Sequence, residues 1–176
     1  MDGNQGADLL VITGTMGAGK STVMAEASDL LERERIEHAA IDVDFLGLAY
    51  VESTPTNHDA MYANLECVCK NYARLGVRRF LLVRSVETRE ELERCRHAAS
   101  AGTVVACRLT AGMPTLRQRI IRRETGILQS EYLARVETLN AILDVACLED
   151  FAVVNESRPV TEVAREMLIR AGWLAG

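Results

Sequence analysis

Eight consecutive residues, Gly14-Thr15-Met16-Gly17-Ala18-Gly19-Lys20-Ser21, carry the most specific chemistry in this chain. They fit G-x-x-x-x-G-K-[ST] at every fixed position. Glycines at 14, 17 and 19 open backbone conformations closed to other residues. Successive N–H groups of the loop, those of Thr15 and Ala18 included, can then turn inward on phosphate oxygens. A helix beginning at Lys20 adds the positive end of its dipole. The Lys20 ammonium can reach the β- and γ-phosphates of a nucleotide, and the Ser21 hydroxyl is a ligand for Mg²⁺. The chain has only two lysines, Lys20 and Lys70, against eighteen arginines.

Asp42-Val43-Asp44 is the second constellation. On an extended chain, residues two apart point to the same side, so both carboxylates are expected at the carboxyl edge of the sheet. One can hold water on Mg²⁺, and the other can take a proton from an attacking hydroxyl. The third constellation is arginine-rich. At about 100° per residue, Arg119, Arg122 and Arg123 share one side of a helix, with Arg117 opposite. Met113, Leu116, Ile120 and Ile127 are expected to form its apolar stripe. Planar guanidinium groups suit the spread charge of a phosphoryl transition state. Arg84, Ser85 and Glu87 follow an apolar run and either face an acceptor or serve structure. His58 is expected at the surface, and Tyr50, Tyr62 and Trp173 in the core or at the surface.

The elements that must place these residues alternate in type. Buried strands are predicted at 8–13, 38–43, 80–83, 103–109 and 151–155. Helices are predicted from Lys20, over 58–75 with Met61, Leu65, Val68 and Tyr72 inward, over 88–98 behind a Thr88/Glu91 capping box, and over 113–124. Thr125-Gly126 is expected to break the chain, and Ser130 to cap the next helix. Pro159 opens the last. Residues 44–57 read as loop or short helix, and 1–7 as a frayed tail. Strands alternating with helices give an α/β fold around a parallel sheet.

The 176 residues make one domain. A net charge of −5 gives no field drawing the chain to nucleic acid or an anionic membrane. No apolar run approaches the roughly 18 residues of a membrane span. The opening MDGNQGAD lacks the regions of a secretory leader, so a cytoplasmic chain is expected. Five cysteines at irregular spacing describe neither a disulfide framework nor a zinc site.

On GTMGAGKST, IDVD and LRQRIIRRETG, the chain resembles the small P-loop kinases of metabolites. These include shikimate, gluconate and adenylylsulfate kinases and chloramphenicol phosphotransferase. Leu116, Arg119, Ile120 and Arg123 fill the fixed positions of a gluconate-kinase-like lid entry. The resemblance implies a three-layer P-loop NTPase fold: a five-stranded parallel sheet in the order 2-3-1-4-5, helices on both faces and a small helical lid near 117–131. It also implies an acceptor-binding segment near 45–75, α-phosphate contact by Thr22 and an adenine border at 155–159. The expected cofactors are ATP and Mg²⁺. The expected partners are a nucleotide and a small-molecule acceptor, with no nucleic acid or membrane, and a homodimer is admitted. The expected activity is transfer of the γ-phosphate to a hydroxyl, with a nucleoside or nucleotide kinase, or a nucleotide-binding switch, as alternatives. Lys20, Arg119 and Arg123 would stabilise the transferring group, and Arg119 would also contact the nucleotide. Asp42 with Ser21 would organise the metal. Asp44 would serve as base, and Asp44 and Arg84 would contact the acceptor. Two departures are visible. Val83-Arg84-Ser85-Val86 stands where shikimate kinases have a glycine triplet. Ile127-Leu128 follows Gly126 where gluconate kinases have His-Phe. Both point away from those two substrates, toward a bulkier or more apolar acceptor.

Overall fold

The computed structural model describes residues 6–50 and 58–176. Five strands, β1 (Ala7–Thr13), β2 (Ala39–Asp42), β3 (Arg79–Val83), β4 (Ala101–Thr110) and β5 (Phe151–Val154), form one sheet. Its order is β2-β3-β1-β4-β5 and every pair is parallel, as the resemblance implied. Between the strands run α1 (Lys20–Arg33), α2 (Val43–Leu46), α3 (His58–Arg74), α4 (Arg89–Ala98), α5 (Met113–Arg123) and α6 (Gly126–Ala146), and α7 (Val160–Arg170) follows the last.

Side chains alternate across the central strands. Leu10 and Ile12 of β1 point to one face, where Val23 and Leu31 of α1, Leu116 and Ile120 of α5, Val136 of α6 and Met167 of α7 cover them. Leu9 and Val11 point to the other, under Leu65 and Cys69 of α3 and Cys95 of α4. Buried on both faces, the strands read as unbroken apolar runs. Trp173 closes the first core, and Tyr62 belongs to the second.

Four local expectations need correction. The strand containing Asp42 ends there, because the Asp42 side chain accepts the Asp44 N–H and caps the short turn α2. Residues 42 and 44 therefore diverge by a helical turn rather than by strand alternation. Ser130 does not begin a helix. The chain is extended at Glu124 and Thr125, and α6 resumes at once at Gly126. Ser130 lies inside it, donating to the Gly126 carbonyl at 3.4 Å. Ile127 is exposed rather than part of the α5 stripe. In α3 the fully buried residues are Met61, Tyr62, Leu65 and Cys69, while Tyr72 is exposed. The expected frayed tail lies largely outside the described residues, as do residues 51–57 of the acceptor segment; Ala7 is already in β1.

Of the five free thiols, Cys69, Cys95 and Cys107 are buried. Burial pushes their pKa values up to about 12, 11 and 12, so they stay protonated and inert. Among the described residues no helix is long and apolar enough to cross a membrane.

Candidate active site

β1 ends at Thr13 and delivers the glycine-rich loop to the carboxyl edge of the sheet, where α1 begins. The loop packs too closely for side chains. Gly17 has φ +78°, and a Cβ there would stand 2.7 Å from the Leu116 carbonyl oxygen. Gly19 has φ +87°, and its Cβ would stand 2.4 Å from Asn155 Nδ2. Side chains from around the loop hold its carbonyls. Ser85 Oγ donates to the Gly14 carbonyl at 2.8 Å, Arg119 Nη1 to Gly17 at 3.2 Å and Asn155 Nδ2 to Ala18 at 2.8 Å. A peptide N–H points opposite its own C=O. Fixing these carbonyls therefore also fixes the direction of the amides that share their peptide planes.

The Thr15 hydroxyl does not face the loop's hollow. It is buried and donates to the Val136 carbonyl of α6 at 3.2 Å. Ala18 is fully buried. These two residues can therefore meet a ligand only through their backbone.

Lys20 Nζ donates to the Gly14 carbonyl at 2.9 Å and the Thr15 carbonyl at 3.2 Å. Desolvation pulls its pKa down to about 8, against the opposing pull of Asp44 and Asp42 and with a small push from Arg123. Ser21 Oγ donates to Asp42 Oδ2 at 2.6 Å. Two hard oxygens are thus paired beside the loop.

Asp44 lies across the same cleft, its Oδ1 accepting from Arg84 Nη1 at 2.9 Å. Arg84 is 7% exposed. It also donates to Tyr62 Oη at 3.1 Å, Glu91 Oε1 at 3.0 Å and Met61 Sδ at 3.4 Å. Burial alone would lower its pKa, but Tyr62, Glu91 and Asp44 outweigh that and raise it. Desolvation likewise raises Tyr62 to about 12. The Thr88 capping box is half formed. Thr88 accepts the Glu91 N–H, but the Glu91 carboxylate accepts the Glu87 N–H and holds Arg84.

The arginines of α5 separate. Arg119 clamps the loop, its second donor reaching the Asn155 carbonyl at 2.8 Å. Arg123 bonds Glu124 at 2.5 Å and lines the clefts on both sides of the loop. Arg117 pairs with Glu137 on the outer side, and Arg122 lines neither cleft. The first cleft, about 320 Å³, includes Lys20, Ser21, Asp44, Arg84 and Arg123. The second, about 330 Å³, includes Thr22, Arg119, Asn155 and Arg158.

Sequence reasoning missed several walls of the first cleft: His58 as a lining group, Glu91, Tyr132, Arg135 and Leu139. The signal for α6 was present. Tyr132, Arg135 and Leu139 sit three and four residues apart, on one helical face. Nothing in the sequence pointed His58 toward the site.

No protein-family model and no curated protein matches this sequence. Solved structures do match in shape. A gluconokinase from Sinorhizobium meliloti 1021 has TM-score 0.61 and 22% identity, covering 97% of this chain and 95% of that one. A shikimate kinase from Bacteroides thetaiotaomicron has TM-score 0.65 and 14% identity, covering 93% and 98%. A tunicamycin resistance protein from Deinococcus radiodurans has TM-score 0.66 and 12% identity, covering 96% and 97%. The strand order, the loop at the edge of β1 and the end-to-end match agree: the chain carries the three-layer P-loop fold that these solved structures share.

Proposed function

We propose that the chain is an ATP-dependent phosphotransferase that moves the γ-phosphoryl group to a hydroxyl of a small molecule. One observation carries the reading: Lys20, Ser21 and Asp44 line a single cleft, with Asp42 bonded to Ser21 at its edge. The kinase names of several structural neighbours support it. We take 1–176 as one domain, with the acceptor segment near 45–75 and the lid near 117–131.

Nucleotide phosphates lie on the loop amides and against Lys20, which leaves its own loop carbonyls for them. Thr22, Asn155 and Arg158 border the nucleotide on the second side. Ser21 Oγ and the Asp42 carboxylate are the hard oxygen pair that would hold Mg²⁺, which neutralises phosphate charge when bound. Arg119 keeps the loop in shape, and Arg123 faces the transferring group. Asp44 orients the acceptor hydroxyl. The acceptor oxygen forms its bond to the γ-phosphorus as the bond from that phosphorus to the β–γ bridging oxygen breaks. The hydroxyl proton passes to Asp44, and ADP leaves with the electron pair.

Calorimetry with Mg–ATP and a coupled ADP assay test this reading. Nucleotide binding and acceptor-dependent ADP release are expected, with Lys20→Ala lowering the rate about 100-fold or more while the circular dichroism spectrum is kept. Protein that binds neither ATP nor GTP with Mg²⁺ would sink the reading.

A further inference from the structure

The two ends of the first cleft differ in charge. Near the loop stand Lys20 and Arg123. On the acceptor side, two guanidinium groups, Arg84 and Arg135, face three carboxylates, Asp44, Glu87 and Glu91. Both guanidiniums are engaged. Arg84 is held by Asp44 at 2.9 Å and Glu91 at 3.0 Å, with Tyr62 and Met61 taking further donors. Arg135 Nη2 meets Glu87 Oε1 at 2.5 Å. His58, Val83, Ser85, Tyr132 and Leu139 complete this wall.

We infer that the acceptor is an alcohol carrying no carboxylate, sulfate or phosphate of its own. This rests on the phosphotransferase reading. An acidic acceptor entering this wall would have to displace a protein carboxylate from its guanidinium. The displaced group would then stand partly desolvated beside two more carboxylates. An uncharged or amine-bearing alcohol leaves both ion pairs intact and puts its hydroxyl on Asp44, whose side chain is 58% exposed. Arg84 is then a positioning residue. It fixes the Asp44 carboxylate and does not bind the acceptor.

The test is a set of matched acceptors with Mg–ATP: glucitol and gluconate, adenosine and adenosine 5′-monophosphate, glucosamine and an aminoglycoside. In the first two pairs the acid is expected to show kcat/KM at least tenfold below its uncharged partner, and the two amine-bearing alcohols are expected to react without that penalty. An acid turned over as well as or better than its partner overturns the inference. Turnover of none of the compounds, with Mg–ATP still bound, also overturns it and leaves the phosphotransferase reading standing. Absence of Mg–ATP binding removes that reading itself. Glu87→Gln, which frees Arg135, is expected to raise the acid-to-alcohol ratio of kcat/KM about tenfold. An unchanged ratio would overturn the pairing argument.

Discussion

The glycine-rich loop, proposed to grip phosphate, and the wall proposed to face the acceptor are built in opposite ways. The loop is eight contiguous residues whose carbonyls are held by Ser85, Arg119 and Asn155. The wall draws Asp44, Arg84, Glu91 and Arg135 from four separate stretches, and its side chains neutralise one another. A backbone nest takes any nucleotide phosphate, because all phosphates present the same oxygens. On the proposed reading a wall of paired charges would select, because each intruding charge must break a pair. The loop is built from local sequence, and the wall from distant contacts.

Arg84 is where the separation of wall from loop is tested most severely. Arg84→Met leaves Glu91 without its counter-ion, and unfolding free energy is expected to fall by about 2–4 kcal/mol. Acceptor turnover should collapse while Mg–ATP affinity stays within about threefold, since the loop is untouched. Denaturant titration and calorimetry check the two halves. Equal loss of both would show that wall and loop are one unit. Gly17→Ala probes the other side. Its φ of +78° and the 2.7 Å approach to the Leu116 carbonyl predict a loss of about 2 kcal/mol. Here nucleotide affinity should fall first, and melting temperature with it.

The smallest effect concerns Lys20. Its folded pKa of about 8 lies below its ordinary value of 10.5, chiefly because of burial. Between those values the unfolded chain binds a proton that the native chain lacks, so stability from this group rises with pH. Below pH 8 the burial of the charge is fully opposed to folding. Lys20→Met should therefore be the more stable protein at pH 7, by about 1–2 kcal/mol. Its advantage should shrink as pH climbs from 8 toward 10.5. Phosphate near Nζ should also draw a proton onto the native protein. Calorimetry near pH 8.5 in buffers of different ionisation enthalpy should show uptake on nucleotide binding, and Lys20→Met should abolish it.

How far the sequence reaches can be judged residue by residue. Gly14 to Ser21 was legible as a tight turn because its glycines stand at fixed spacing on one stretch of backbone, between an apolar run and an amphipathic helix. The alternation of strands and helices was legible because both faces of the sheet are buried, leaving apolar runs such as Phe80 to Val83 and amphipathic helices between them. Glu91 was legible only as a cap. Its other role depends on Arg84, seven residues earlier across a turn, and on Asp44 from a neighbouring strand end. Strand order was not in the spacing. It entered through resemblance, because a right-handed crossover fixes the hand of a connection but not which neighbour it reaches.

By itself, then, the sequence determined that a glycine-rich loop lies between the first strand and the first helix and that a layered α/β fold presents it at a sheet edge. Tertiary structure alone decided that Asp42 turns to Ser21 while Asp44 turns to Arg84, and that α6 brings Arg135 to Glu87. The physical reason is range. Backbone conformation and helix dipoles act over a few residues, whereas ion pairs need only nearness in space. Nearness is set by packing over the whole chain.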